Sequence, residues 1–170
     1  MELEDLVDRR AIEDVLVLYA KTLDARDWSA MSDVFLPDAT GIYDGQRYEG
    51  LDAIVDLCRR SLEPLTASQH FLGNFAAEIE GDRAQSSCYL HAQHYRIGGR
   101  GLSTYVMAGT YRDRLVRTDA GWRIKHRELE ITWTDGNSGV FVTDDPARPS
   151  GAPSPDPQRP PRRPQEPGHA

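Results

Sequence analysis

ASQHFLGNFAAEIEGDRAQSSCYLHAQHYRIGGRGLSTYVMAGTYRDRLVRTDAGWRIKHRELEITWT, residues 67–134, contains four long stretches of β character, at about 67–79, 84–97, 103–117 and 122–134. Gly81-Asp82, Gly98-Gly99 and Asp119-Ala120-Gly121 separate them, as turn residues separate consecutive antiparallel strands. Helical patterns come first in the chain and this run of strands comes after. That order predicts an α+β fold: a cone-shaped α+β barrel in which N-terminal helices pack into a curved, mainly antiparallel sheet.

Upstream, residues 5–24 read as an amphipathic helix, with Ile12, Val15, Leu16, Tyr19 and Leu23 at helical spacing. A short second helix is expected from Trp28 to Leu36, its buried side marked by Trp28, Met31, Val34 and Phe35, with Pro37 stopping it. Ala39–Tyr43 reads as a strand, Asp44-Gly45 as a hairpin turn, and Tyr48 as part of the returning strand. Gly50 leads into a third helix, Leu51–Leu62, with Ile54, Leu57 and Cys58 inward.

From Asp144 the composition changes. DDPARPSGAPSPDPQRPPRRPQEPGHA holds nine of the chain's eleven prolines and no Phe, Tyr, Trp, Val, Ile or Thr. Such a segment buries too little apolar surface to offset ordering entropy. The expected organisation is therefore one folded domain over 1–143 and a Pro-rich disordered tail over 144–170. PQRPPRRP would also suit an adaptor that binds polyproline.

The 170-residue chain has a formal charge of −7. An acidic domain is a poor match to phosphate backbones, so nucleic acid is not expected as a partner. No apolar run reaches the length of a membrane span, and MELEDLVDRRAIEDV lacks the basic start and apolar core of a signal peptide. Two cysteines, Cys58 and Cys88, without metal-type spacing fit a reducing cytoplasm.

The candidate chemistry lies in Tyr19, Asp24, His70 and Arg127: a phenol, a carboxylate, an imidazole and a guanidinium from elements that otherwise build a core. Counting by twos puts His70 on one face with Leu72, Asn74 and Ala76, and Arg127 with Leu129, Ile131 and Trp133. On that count Trp122 and Ile124 face away, and His70 and Arg127 look into one apolar cavity. Asp24 follows Tyr19 by five residues, about 140° around a helix. The two share a pocket only if the helix ends near Leu23. Asp24 could then hold the His70 imidazole in one tautomer as a general base. Tyr19 would serve as acid or orienting donor, and Arg127 would stabilise developing negative charge. Asn74, Trp133, His94 and Cys88 are candidate substrate contacts. His91 and His94 have opposite parity, so at most one faces the cavity. No histidine has metal-ligand spacing, and neither a phosphate loop nor a GxSxG elbow is present.

RRAIEDVLVLYAKTLDARDW, VFLPDAT, YEGLDAIVDL, SQHFLGN and GTYRDRLVRTDAGWRIKHRELEITW, in that order, resemble the SnoaL-like branch of the nuclear transport factor 2-like superfamily over about residues 5–134. Scytalone dehydratase, bile acid 7α-dehydratase and hexachlorocyclohexane dehydrochlorinase in that group use an Asp–His pair, matched here by Asp24 and His70. Their last-strand Arg, where present, matches Arg127, and the Tyr of the bile acid enzyme matches Tyr19. The resemblance implies cofactor-free elimination from a small hydrophobic ring substrate, steroid- or polyketide-like, by a homo-oligomer (dimer or trimer). The same fold hosts ketosteroid isomerases, polyketide cyclases and non-catalytic ligand-binding or assembly modules, which stay open as alternatives.

Overall fold

A computed structural model of the chain describes residues 3–98, 101 and 103–142. The Pro-rich segment beginning at residue 144 and the centre of the GGRG turn lie outside the described residues. Helix α1 (Leu3–Ala25) leads into a short 3-10 helix (Trp28–Asp33). Strands β1 (Phe35–Tyr43) and β2 (Gln46–Glu49) form a hairpin, and helix α2 spans Leu51–Leu62. Four long strands follow: β3 (Ala67–Glu80), β4 (Arg83–Tyr95), β5 (Thr104–Thr118) and β6 (Gly121–Gly136). A second 3-10 turn (Ser138–Phe141) comes after them. The six strands make one open, curved sheet in the order β2-β1-β6-β5-β4-β3, with only β1 and β6 parallel. This is the α+β cone expected from the sequence. No helix among the described residues is long and apolar enough to cross a membrane.

Local chemistry accounts for the element ends. Asp44 and Gly45 both take positive φ, the two-residue turn that matches strand twist. The apolar stripe of α1, Ile12, Leu16, Tyr19 and Leu23, is buried against the inner face of the sheet, where Cys88, Leu90, Tyr111, Leu115 and Ile124 meet it. Ile54 and Cys58 of α2 complete the core. Burial of each large aliphatic side chain here contributes about 1.5–3 kcal/mol.

The predicted helix from Trp28 to Leu36 is shorter than expected. It ends at Asp33, and Phe35 is already strand, paired with Ile124. The Ile124 amide donates to the Val34 carbonyl at 2.8 Å, so β6 captures the chain before another helical turn can form. Pro37 therefore sits inside β1, where the register slips between Phe35 and Thr40, a place that tolerates a missing N–H.

Three further slips overturn the face assignments made by counting. β3 slips between Gly73 and Ala76, with Asn74 at φ 51°. Asn74 and Ala76 consequently turn outward and are exposed, while Phe75, Ala77 and Ile79 turn in. On β6 the pairing skips one residue between Ile124 and His126 and another between Ile131 and Trp133. Trp122 and Ile124 thus join Arg127 in the core, and Trp133 lies on the outer face. A bulge reverses the side-chain alternation beyond it, and two bulges on one strand do so twice.

The second of these β6 slips depends on Gly109. A Cβ there would stand 2.3 Å from the Glu130 carbonyl oxygen. Gly109→Ala is expected to destabilise the fold by about 1–3 kcal/mol through overpacking, read as a lower urea midpoint. An unchanged midpoint would show that the bulge relaxes freely.

Candidate active site

Helix α1 stops where the site needs it to stop. The Arg26 amide donates to the Leu23 carbonyl at 3.3 Å and the Asp27 amide to the Thr22 carbonyl at 3.1 Å, with Arg26 at φ 60°. This is a Schellman closure with an arginine in the left-handed position. It leaves Asp24 in the last helical turn, where the helix dipole disfavours a carboxylate. Three hydrogen bonds offset that. Asp24 Oδ1 accepts from His70 Nδ1 at 2.7 Å and from Ser68 Oγ at 3.0 Å, and Oδ2 accepts from the His70 backbone amide at 2.9 Å. Arg26 Nη1 donates to Ser68 Oγ at 2.7 Å, so Arg26, Ser68, Asp24 and His70 form one directed chain. Arg26 Nε also donates to the Leu62 carbonyl, tying in the end of α2.

Burial alone would raise the Asp24 pKa, but the side-chain and backbone hydrogen bonds from His70 outweigh it and hold the carboxyl below its usual value. A carboxylate only accepts, so Nδ1 of His70 carries the proton and Nε2 keeps its lone pair. The His70 side chain is 6% exposed and that of Asp24 27%, so the pair is enclosed with one edge toward solvent. Ser68→Ala is expected to remove one of the three bonds. Asp24 should then titrate at higher pH, read by NMR titration of its side-chain carboxyl carbon. An unmoved titration would show that Ser68 contributes nothing to holding the charge.

His94, two strand positions from Ala92, the cross-strand partner of His70, turns inward; His91 turns outward. The His94 ring meets the His70 ring edge-on with centroids 5.7 Å apart, and it packs on Phe141 and Tyr105. Its Nδ1 donates to the Tyr105 carbonyl at 3.3 Å. Burial, reinforced by neighbouring His70, lowers its pKa from 6.5 to about 4, so the ring is neutral near pH 7. The unfolded chain binds a proton here below pH 6.5 that the folded chain refuses until about pH 4. Stability is therefore full above pH 6.5 and falls as pH drops toward 4, by about 3 kcal/mol from this residue. His94→Phe is expected to flatten urea stability across that window. A slope equal to that of the unsubstituted chain would count against the assignment.

Tyr19 and Arg127 do not share a cavity with His70. Arg127 is 0% exposed. Its Nε and Nη2 donate to the two carboxylate oxygens of Asp113, each at 2.7 Å, and its guanidinium lies 4.2 Å from the ring centroids of both Tyr19 and Tyr111. Asp113, its cross-strand partner, is six residues along β5 from Met107, which lies in the lateral row of His70. That is roughly 20 Å of strand. Tyr19 is buried against Phe35, Tyr111 and Cys58, and burial pushes its pKa up. Cys88, also wholly buried, has its thiol raised to about 12 by burial.

Two hollows lie along the sheet, and neither is lined by Asp24 or His70. One includes Phe71, Tyr89, His91 and Trp133, and the other Glu78, Arg112, Arg114 and Glu128. Ser68, Arg26 and Asp113 join these residues without having stood out in the sequence. Ser68 shares the parity of His70, which is a signal for it. Arg26 and Asp113 carry none, because their roles depend on partners 42 and 14 residues away.

Helices packed on the inner face of an open, curved six-stranded sheet make this a protein of nuclear transport factor 2-like architecture, with a helix-end carboxylate bonded to a strand imidazole on that face. The chain belongs to the SnoaL-like domain family, whose model matches residues 4–128. Among curated proteins it is 38% identical over 144 residues to terrestric acid biosynthesis cluster protein E of Penicillium crustosum, covering 80% of this chain and 90% of that protein. Similar solved structures include a scytalone dehydratase-like protein from Novosphingobium aromaticivorans (24% identity, TM-score 0.70, 77% of this chain and 88% of that one). Another is a type 2 hexachlorocyclohexane dehydrochlorinase (19% identity, TM-score 0.71, 86% and 99%). At these identities the two structures speak to the fold.

Proposed function

We propose that this protein is a cofactor-independent lyase, a dehydratase in which His70 Nε2 abstracts a proton next to a carbonyl or leaving group of a small hydrophobic ring substrate. The observation that carries the reading is the 2.7 Å bond from His70 Nδ1 to Asp24. It leaves Nε2 as the basic nitrogen and places a negative charge behind the imidazolium as it forms. Water or another group then leaves from the neighbouring atom. Tyr19 and Arg127 enter as supports: they hold α1, and hence Asp24, against the sheet. His94 offers a neutral ring edge beside His70. The relative from a biosynthesis cluster supports a place in secondary metabolism, and the substrate class proposed here is a polyketide- or steroid-like ring. The two thiols, Cys58 and Cys88, are both free and buried, in keeping with a cytoplasmic protein.

Isomerisation or cyclisation is the second reading. With Tyr19 buried away from the pair, His70 itself is the group at hand to return the proton, which is what an isomerase requires. Incubation with hydroxylated steroids and polyketide intermediates, followed by mass spectrometry, separates the two. Dehydration loses the mass of water and isomerisation loses none. No turnover of any such compound, with a ligand still bound, would favour a binding module.

A further inference from the structure

We propose that Arg26 is a positioning residue for the reaction: its guanidinium aims the Ser68 hydroxyl at Asp24 and so fixes the carboxylate against His70. This rests on the reading of His70 as the base. Arg26 stands at φ 60°, in the left-handed position that closes α1, where glycine is the usual residue. A side chain kept at such a position points to a use for it. Here it meets three elements at once. Nε donates to the Leu62 carbonyl, at the end of α2, at 3.2 Å. Nη1 donates to the Leu23 carbonyl in the last turn of α1 and, at 2.7 Å, to Ser68 Oγ near the start of β3. A flat fork with separate donors can span these acceptors, whereas the single point of an ammonium cannot.

What the fork does to Ser68 follows from counting protons. A hydroxyl has one proton and two acceptor positions, and left alone it rotates among partners. Arg26 fills one acceptor position, so the Ser68 proton turns away from it, and Asp24 Oδ1 accepts that proton at 3.0 Å. Oδ1 is then gripped from two sides, by Ser68 and by His70 Nδ1, while the His70 amide holds Oδ2. The plane of the carboxylate is thereby set, and with it the direction in which His70 Nε2 points. Ionisation of Asp24 does not need the arginine, because the bonds from His70 and Ser68 already hold its pKa down. What Arg26 adds is aim. Its own bond to Asp24 goes to the backbone carbonyl, at 3.4 Å, so its path to the carboxylate runs through Ser68.

Arg26→Gly in the full chain separates aim from stability. Glycine suits the left-handed backbone, and the Leu23 and Leu62 carbonyls keep the backbone amides of residues 26 and 65 as donors. The urea midpoint is therefore expected to be no lower than that of the unsubstituted chain. On the substrate found by the mass screen, kcat should fall about 10- to 100-fold with KM unchanged, the scale of a misplacement near 1 Å. Lys21→Gln, which removes an exposed cation from the same helix, should leave the rate unchanged. A second readout needs no substrate. In the free protein the His70 Nδ1 proton is expected as a downfield signal in nitrogen-edited NMR spectra, absent from His70→Ala. Arg26→Gly should broaden it through faster exchange with water. A signal missing from the unsubstituted chain, or equally sharp in Arg26→Gly, would overturn the proposal. So would an unchanged kcat where His70→Ala is inactive, a kcat that falls along with the urea midpoint, or an equal loss in Lys21→Gln. Normal turnover by His70→Ala would instead end the base reading, while the signal still reports whether Arg26 holds the bond.

Discussion

His70→Ala is expected to lower turnover of the true substrate by about 10²–10⁴-fold, the range for losing a positioned general base. Its urea midpoint should stay close to that of the unsubstituted chain, since the ring sits at the edge of the core. Asp24→Asn should fall nearly as far. The amide keeps the shape of the carboxylate but brings no charge to stabilise imidazolium, and its NH₂ can turn the ring to the other tautomer. The two losses should not add in the double variant, because both remove one unit. Steady-state rates on a substrate found by the mass screen decide the matter. Normal rates in both single variants would end the base assignment whatever the fold does.

The largest stability effect is expected at Arg127. Arg127→Met should destabilise the protein by about 3–5 kcal/mol, because it strands the Asp113 carboxylate in the core without a partner. Asp113→Asn should be similarly damaging, leaving the guanidinium charge between two tyrosine rings with nothing to balance it. The double variant Arg127→Met, Asp113→Leu is expected to regain most of the loss, since it removes both desolvated charges together. Urea unfolding of the three variants reads this directly. Effects below about 1 kcal/mol, the scale of an exposed pair, would contradict the burial. Because Asp24 rides on α1, whose Tyr19 covers the guanidinium, the single variants should also lose some activity. Osmolyte that restores folding should restore that activity as well.

Patterning in the sequence was informative wherever one element's own residues decide the outcome. The apolar spacing of α1, the Asp44-Gly45 turn, α2 at Leu51–Leu62 and the four long strands were all readable, because helix period, strand alternation and turn chemistry are local. The helix end after Asp24 was anticipated as a condition for the site, and the structure meets it. What failed was parity across long strands. Asn74, Trp122 and Trp133 were each assigned to the wrong face, since a bulge is decided by how the neighbouring strand pairs. Nothing in RIKHRELEITW says where two residues will oppose one.

The chain by itself therefore determined the class of fold and the order of its elements, which follow from local period, and it marked Asp24 and His70 as candidates; their bond, between residues 46 apart, needed the helix end and the strand brought together by the fold. Only the tertiary structure decided that Arg127 is a core ion pair with Asp113, that His94 rather than His91 stands beside the His70 ring, and that Trp133 belongs to an outer aromatic row. The reason is the same in each case: the environment of a strand side chain is set by pairing register and by partners distant along the chain, whose free energies no local pattern contains.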